Sequence, residues 1–191
     1  MIKNIILDVG GVIFDDSKEN IRKLLNTDND DLYKQAYSNG FNKCLIGELT
    51  IKELINSLKD KENYEQLEYI LRPDNLINTY PVIKENFEYI KELKNRGYKL
   101  YLLTNITDAS YNYINEQMNI DSLFEGGIYS YQEHLVKPNE EIYKLILDRY
   151  NLNKEETIFF DDREKNVLAA NKVGLKSIVF KSIKDIENNI Y

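Results

Sequence analysis

Three carboxylates, a threonine, an asparagine and a lysine sit where apolar runs end or helices begin. Asp8 follows Ile5-Ile6-Leu7 and precedes Gly10-Gly11. Thr104-Asn105 follow Leu102-Leu103, and Asp161-Asp162 follow Ile158-Phe159-Phe160. Lys137 stands directly before Pro138. Adjacent acids after a buried run repel one another unless a cation neutralises them. Carboxylates gathered with a hydroxyl, an amide and a lysine suit Mg²⁺ beside a phosphoryl group. Mg²⁺ takes oxygen ligands, usually one or two carboxylates with water and phosphate oxygens.

These residues can act together only if the elements before them bring their ends to one place. The run Ile2 to Leu7 is interrupted only by Lys3 and Asn4, as suits a buried strand of a parallel sheet. Further strands are expected over 98–103, 127–130, 157–160 and 177–180. Helices are expected from Pro81 to Gly97, around Tyr111, Ile114 and Met118, from Pro138 through Ile146, and over 167–173 before Gly174. Strands alternating with helices predict an α/β fold, a Rossmann-like parallel sheet whose strand ends share one edge. Between about 16 and 80 no strand pattern occurs. Thr50 and Glu53 form a capping box there, followed by Ile51, Leu54, Ile55 and Leu58 at helical spacing. The expected organisation is therefore an α/β core of 1–15 and 81–191 with an all-helical insertion of 16–80 after the first strand.

Composition limits the partners. The 191 residues carry a formal net charge of −7 and no basic stripe, which argues against a nucleic-acid partner. One cysteine, Cys44, allows no intrachain disulfide framework, so a reducing compartment is expected. The N-terminus lacks a long apolar segment and no run reaches membrane-spanning length; a cytoplasmic protein is the expectation. Cys44 reads as a small packing residue. The single histidine, His134, reads as a surface residue despite its proximity to Lys137 in sequence. Oligomeric state and substrate are not legible.

The motifs Asp8-Val9-Gly10-Gly11-Val12, Leu102-Leu103-Thr104-Asn105, Val136-Lys137-Pro138 with Ile142-Tyr143, and Phe159-Phe160-Asp161-Asp162 with Asn166 occur in that order. Together they make the chain resemble the haloacid dehalogenase superfamily of phosphatases and related hydrolases. The likeness is greatest to Asp-x-Gly type sugar-phosphate phosphatases and the phosphatase domain of epoxide hydrolases. The insertion sits where that family carries its helical cap. The resemblance implies a Mg²⁺-dependent phosphatase acting on a small phosphorylated metabolite, with a sugar phosphate as the first candidate. It implies Asp8 as the nucleophile that forms an aspartyl-phosphate, and Lys137 as the cation that neutralises phosphate and nucleophile. Mg²⁺ would be held by Asp8, the Gly10 carbonyl and Asp162, with Asp161 in the metal group beside it. Gly10, Gly11, Thr104, Asn105 and Lys137 would surround the phosphate, and Asn166 would orient the acidic pair.

The chain departs from the family at one position. Most such phosphatases carry a second aspartate two residues after the nucleophile as general acid and base, and here that place is Gly10. General acid–base help is worth roughly 100- to 10,000-fold. Its loss predicts a steep dependence on leaving group, and it opens the alternative of a catalytically weak phospho-ligand sensor or interaction protein. If another side chain supplies the proton, His134 and the Asp15-Asp16 pair are the candidates. A metal-free halide-displacing hydrolase is the weakest reading, because the Asp161-Asp162 repulsion would go unexplained in it.

Overall fold

The first strand, β1 (Asn4–Leu7), is buried along its whole length and sits at the middle of the sheet. This is a computed structural model, and it describes residues 1–190. Tyr191, the end of the expected core range, lies outside the described residues. After β1 come six helices: α1 (Lys18–Leu24), α2 (Asp31–Ala36), α3 (Asn39–Leu45), α4 (Ile51–Ser57), α5 (Tyr64–Leu71) and α6 (Leu76–Thr79). Helix and strand then alternate through α7 (Lys84–Asn95), β2 (Lys99–Thr104), α8 (Asp108–Met118) and β3 (Gly126–Tyr129). The remaining elements are α9 (Ser130–Glu133), α10 (Glu140–Arg149), β4 (Thr157–Asp161), α11 (Glu164–Lys172), β5 (Ser177–Val179) and α12 (Ile183–Glu187).

Among the described residues the strands form one five-stranded parallel sheet in the order β3-β2-β1-β4-β5. Side chains alternate between its faces. Ile5, Leu7, Leu100, Leu102, Ile158 and Phe160 face α7, α8 and α12 through Phe87, Ile90, Leu93, Ile114 and Ile186. Ile6, Tyr101, Leu103, Ile128 and Phe159 face α10 and α11 through Ile142, Tyr143, Ile146 and Ala170. The result is a three-layer α/β/α core, the arrangement that lets a parallel sheet bury both faces. The register pairs Leu7 with Leu102 and with Phe160, so Asp8, Leu103-Thr104 and Asp161 end up side by side.

The helices over 18–79 have their own apolar centre. Ile21, Ala36, Cys44, Ile51, Leu54, Leu67, Ile70 and Leu71 pack together, and Ala109 of α8 reaches them from the core side. The expected capping box is formed: the Glu53 N–H donates to Thr50 Oγ1 at 3.2 Å, and the Thr50 N–H donates to Glu53 at 2.8 Å. Cys44 is buried in this cluster, where burial pushes its thiol up to about 11.

Two helix starts fall later than the prolines suggest. Pro81 does not open α7, because residues 81–83 run extended against 13–15. The Asp15 N–H donates to the Pro81 carbonyl, and the Ile83 N–H to the Ile13 carbonyl, both at 2.9 Å. Pro138 precedes α10 by two residues, since Asn139 caps that helix by accepting the Glu141 N–H at 2.9 Å. Among the described residues no helix is long and apolar enough to cross a membrane.

Candidate active site

Lys137 ties the sheet edge together. Its side chain is 1 % exposed, and its Nζ lies 2.7 Å from Asp8 Oδ2 and 2.7 Å from Asp161 Oδ2. A third hydrogen bond runs to the Leu103 carbonyl at 2.8 Å. The lysine is held in place by Asn105, whose Oδ1 accepts the Lys137 N–H at 2.8 Å and whose Nδ2 donates to the Lys137 carbonyl at 3.0 Å. Asn105 was expected to bind phosphoryl oxygens. Its side chain bonds the Lys137 main chain through Oδ1 and one Nδ2 hydrogen, and the residue also lines the cavity. Thr104 is buried and lines the same cavity.

The two adjacent aspartates do different things. Asp161 is fully buried and accepts hydrogen bonds from Lys137, from the Arg163 N–H at 2.9 Å and from Asn166 Nδ2 at 2.9 and 3.0 Å. Asp162 has a buried Oδ1 with no hydrogen-bond partner; Arg163 Nε is 3.9 Å away, too far to serve. Carboxylate oxygens of Asp8, Asp161 and Asp162 all lie within 4.8 Å of one another. Such an all-oxygen set, with one lysine against three acids and one buried oxygen left over, fits a hard divalent cation.

Gly11 supplies room. It has a φ of +67°, and a Cβ there would lie 2.5 Å from Asp162 Cγ, so a side chain would drive the carboxylate away. Its N–H donates to the Phe14 carbonyl at 2.8 Å. Gly11 was expected among the phosphate-binding residues, but that donor is already taken. Gly10 lines the cavity. A Cβ on Gly10 would meet Asp16 Oδ2 at 3.0 Å, and Arg163 Nη2 holds that same oxygen at 2.8 Å. Asp16 thus occupies the space that a side chain at position 10 would enter. Asp15 points elsewhere: its Oδ1 accepts the Ser17 N–H at 3.0 Å. His134 also lies outside the cavity, with Nδ1 2.7 Å from the Ile46 carbonyl. Arg163 was missed by sequence reasoning because it follows the acidic pair without a motif of its own.

The electrostatics follow from burial and from one shared lysine. Burial pushes the Asp8 carboxyl up to about 7, with Lys137 opposing the rise and Asp161 reinforcing it. Burial and then Asp16 push Asp162 up to about 6. For Asp161 burial acts upward too, but Lys137, the Arg163 N–H and Asn166 hold it below its ordinary value. A carboxyl with a raised value stabilises the fold at low pH and loses that contribution as pH climbs through the raised value. The lowered carboxyls of Asp30, Glu53, Asp74 and Glu133 act the other way, but only within and below the ordinary carboxylate range. Without a divalent cation, thermal stability should therefore fall as pH rises above that range to about 7. Added Mg²⁺ should flatten the decline. Melting curves with and without chelator check this, and a metal-free melting temperature that holds or rises across the range contradicts it.

The parallel sheet thus sets Asp8, Asp161, Asp162 and a buried lysine together at one edge, with Asp8 and Lys137 lining a cavity. The sequence matches the haloacid dehalogenase-like hydrolase family over residues 2–174, and the chain belongs to that family. It is 36 % identical to a sesquiterpene phosphatase of Aspergillus oryzae over 86 residues, 45 % of this chain and 44 % of that one. It is 26 % identical to a phosphorylated carbohydrates phosphatase of Thermotoga maritima over 143 residues, 74 % of this chain and 63 % of that one. The chain thus spans less than two thirds of the length of either relative. Its fold resembles that of a haloacid dehalogenase family enzyme of Bacteroides thetaiotaomicron, solved in complex with magnesium and inorganic phosphate. That likeness has a TM-score of 0.77 at 20 % identity and covers 100 % of both chains.

Proposed function

We propose that this chain is a Mg²⁺-dependent phosphatase of small-molecule phosphate monoesters, working through an aspartyl-phosphate on Asp8. The observation that carries the reading is the buried Lys137 bridging Asp8 and Asp161 at 2.7 Å beside the unpartnered Asp162 oxygen. Asp8, the Gly10 carbonyl and Asp162 would hold the cation, while Asp161, saturated by its donors, positions Lys137. When bound, Mg²⁺ draws charge off the phosphoryl group. The relatives are consistent in chemistry, since two are phosphatases and the Bacteroides enzyme binds magnesium with phosphate.

The chain's own residues account for the rest. An Asp8 oxygen forms a bond to phosphorus as the bond from phosphorus to the ester oxygen breaks. The departing oxygen keeps the electron pair and takes a proton from Asp16. Water then attacks the aspartyl-phosphate, returns a proton to Asp16, and frees inorganic phosphate and Asp8. Lys137 offsets the repulsion between the Asp8 carboxylate and the anionic phosphate. Asp16 stands in the space Gly10 leaves open, which supports the phosphatase reading over the sensor alternative.

We read 16–80 as a cap over this site. The segment enters and leaves through one two-stranded neck, 13–15 paired with 81–83, and Asp16 lies at its first residue. Turnover of an aryl phosphate with Mg²⁺, and again with chelator, tests the function. Chelator-sensitive release of phosphate is the expected outcome; turnover that ignores chelator, or none under either condition, contradicts it.

A further inference from the structure

We propose that the site takes phosphate esters of apolar alcohols in preference to those of sugars or other polyols, an inference that rests on the phosphatase reading above. The cavity over Asp8 is about 330 Å³, ample for a small organic group beyond the phosphate. Of its charged lining residues, Asp8, Asp16 and Lys137 already have roles in the reaction, and Arg163 is paired with Asp16. Away from them the apolar part of the wall is Tyr37, Phe41, Leu45, Leu76, Tyr80 and Ile114. Tyr37 lies at the middle of an aromatic cluster, 4.8 Å edge-on from Phe41, 4.8 Å from Tyr33 and 6.0 Å from Tyr80 between ring centres.

Four of the polar side chains on that wall are paired with one another, while Tyr33 and Asn42 also line it. The Tyr37 and Tyr80 hydroxyls hydrogen-bond each other. Thr107 Oγ1 donates to Ser110 Oγ at 2.9 Å and accepts the Ser110 N–H at 3.2 Å. Asn42 is exposed. A hexose in this space would bury hydroxyls opposite aromatic and aliphatic carbon, and an unpaired buried hydroxyl carries a desolvation penalty. An apolar ring or chain carries none, and it removes the same wall from water. The expected sugar-phosphate substrate is therefore the poorer fit, although both classes present the same phosphate to Asp8.

The test compares kcat/KM, with Mg²⁺ present, for cyclohexylmethyl phosphate and glucose 6-phosphate. Both are primary alkyl esters bearing a six-membered ring, so leaving-group chemistry is nearly matched. Acetyl phosphate, with almost no leaving group to recognise, serves as the third substrate. The apolar ester should be preferred by about 100-fold or more. Phe41→Ser should cut that ratio by about tenfold, and Leu45→Gln gives a second reading should Phe41→Ser fold poorly. Equal or better turnover of glucose 6-phosphate, with acetyl phosphate hydrolysed, overturns the apolar assignment and leaves the phosphatase reading standing. If none of the three, acetyl phosphate included, is hydrolysed, the phosphatase reading falls and this inference falls with it.

Discussion

Asp8→Asn should abolish turnover, lowering kcat by a factor on the order of 10⁴ or more, while the protein stays folded. The amide cannot form the bond to phosphorus that a carboxylate oxygen forms, and no other carboxylate in the cluster is placed to substitute. Asp161 is enclosed by Lys137, Asn166 and the Arg163 N–H. Asp162 lies beyond the lysine's hydrogen bonds. The fold should tolerate the change well. Lys137 keeps Asp161 and the Leu103 carbonyl as partners. Asp8 is also a buried charge at its own expense, since burial pushes it up to about 7. A neutral side chain of the same size should leave the metal-free melting temperature unchanged or raised at pH 7–8, with a shallower fall as pH climbs. Clear residual activity in a well-folded variant would end the covalent route through Asp8.

Asp16→Asn is expected to have the next largest effect, and one that depends on the substrate. A general acid matters most where the departing oxygen is basic, so alkyl phosphates should lose roughly 100- to 10,000-fold in kcat/KM. Activated aryl phosphates should lose only a few-fold. Plotted against leaving-group pKa, the parent enzyme should give a shallow slope and the variant a steep one. This revises the expectation drawn from Gly10 alone, which was a steep slope for the parent. An equal loss on every ester would instead mean that Asp16 only anchors Arg163, its partner at 2.8 Å. Asparagine preserves size and can still accept the Arg163 hydrogen bond, so the substitution isolates the proton.

Much of the site was legible because parallel strands bring their carboxyl ends to one edge. Asp8, Thr104 and Asp161-Asp162 each follow an unbroken apolar run, and the register of β1 with β2 and β4 sets them side by side. Roles that depend on who donates to whom were not legible. Nothing in the order of residues says that Asn105 grips the Lys137 backbone, or that Asp161 takes the donors and leaves Asp162 with a spare oxygen. The part played by Asp16 was hidden for a different reason. It depends on a tight turn over 9–14, in which the Phe14 N–H returns to the Val9 carbonyl at 3.0 Å and carries the following residues back over Gly10. Pro81 misled because its position suits a helix start. Pairing with 13–15, remote in sequence, keeps it extended. The apolar wall could have been suspected from Tyr33, Tyr37 and Phe41 at intervals of four. Such spacing more often marks a helix's packing face, and only the cavity shows that this one looks onto Asp8.

The central claim is that phosphate passes through Asp8, and chemical trapping tests it most directly. Enzyme turning over an aryl phosphate with Mg²⁺ is quenched in acid and reduced with borohydride, which converts an aspartyl-phosphate to homoserine. Peptide mapping should then find homoserine at position 8 and at no other aspartate, and none when chelator or Asp8→Asn is used. Homoserine at Asp16, Asp161 or Asp162, or its absence from enzyme quenched during active turnover with Asp16→Asn included to slow breakdown, would contradict the account.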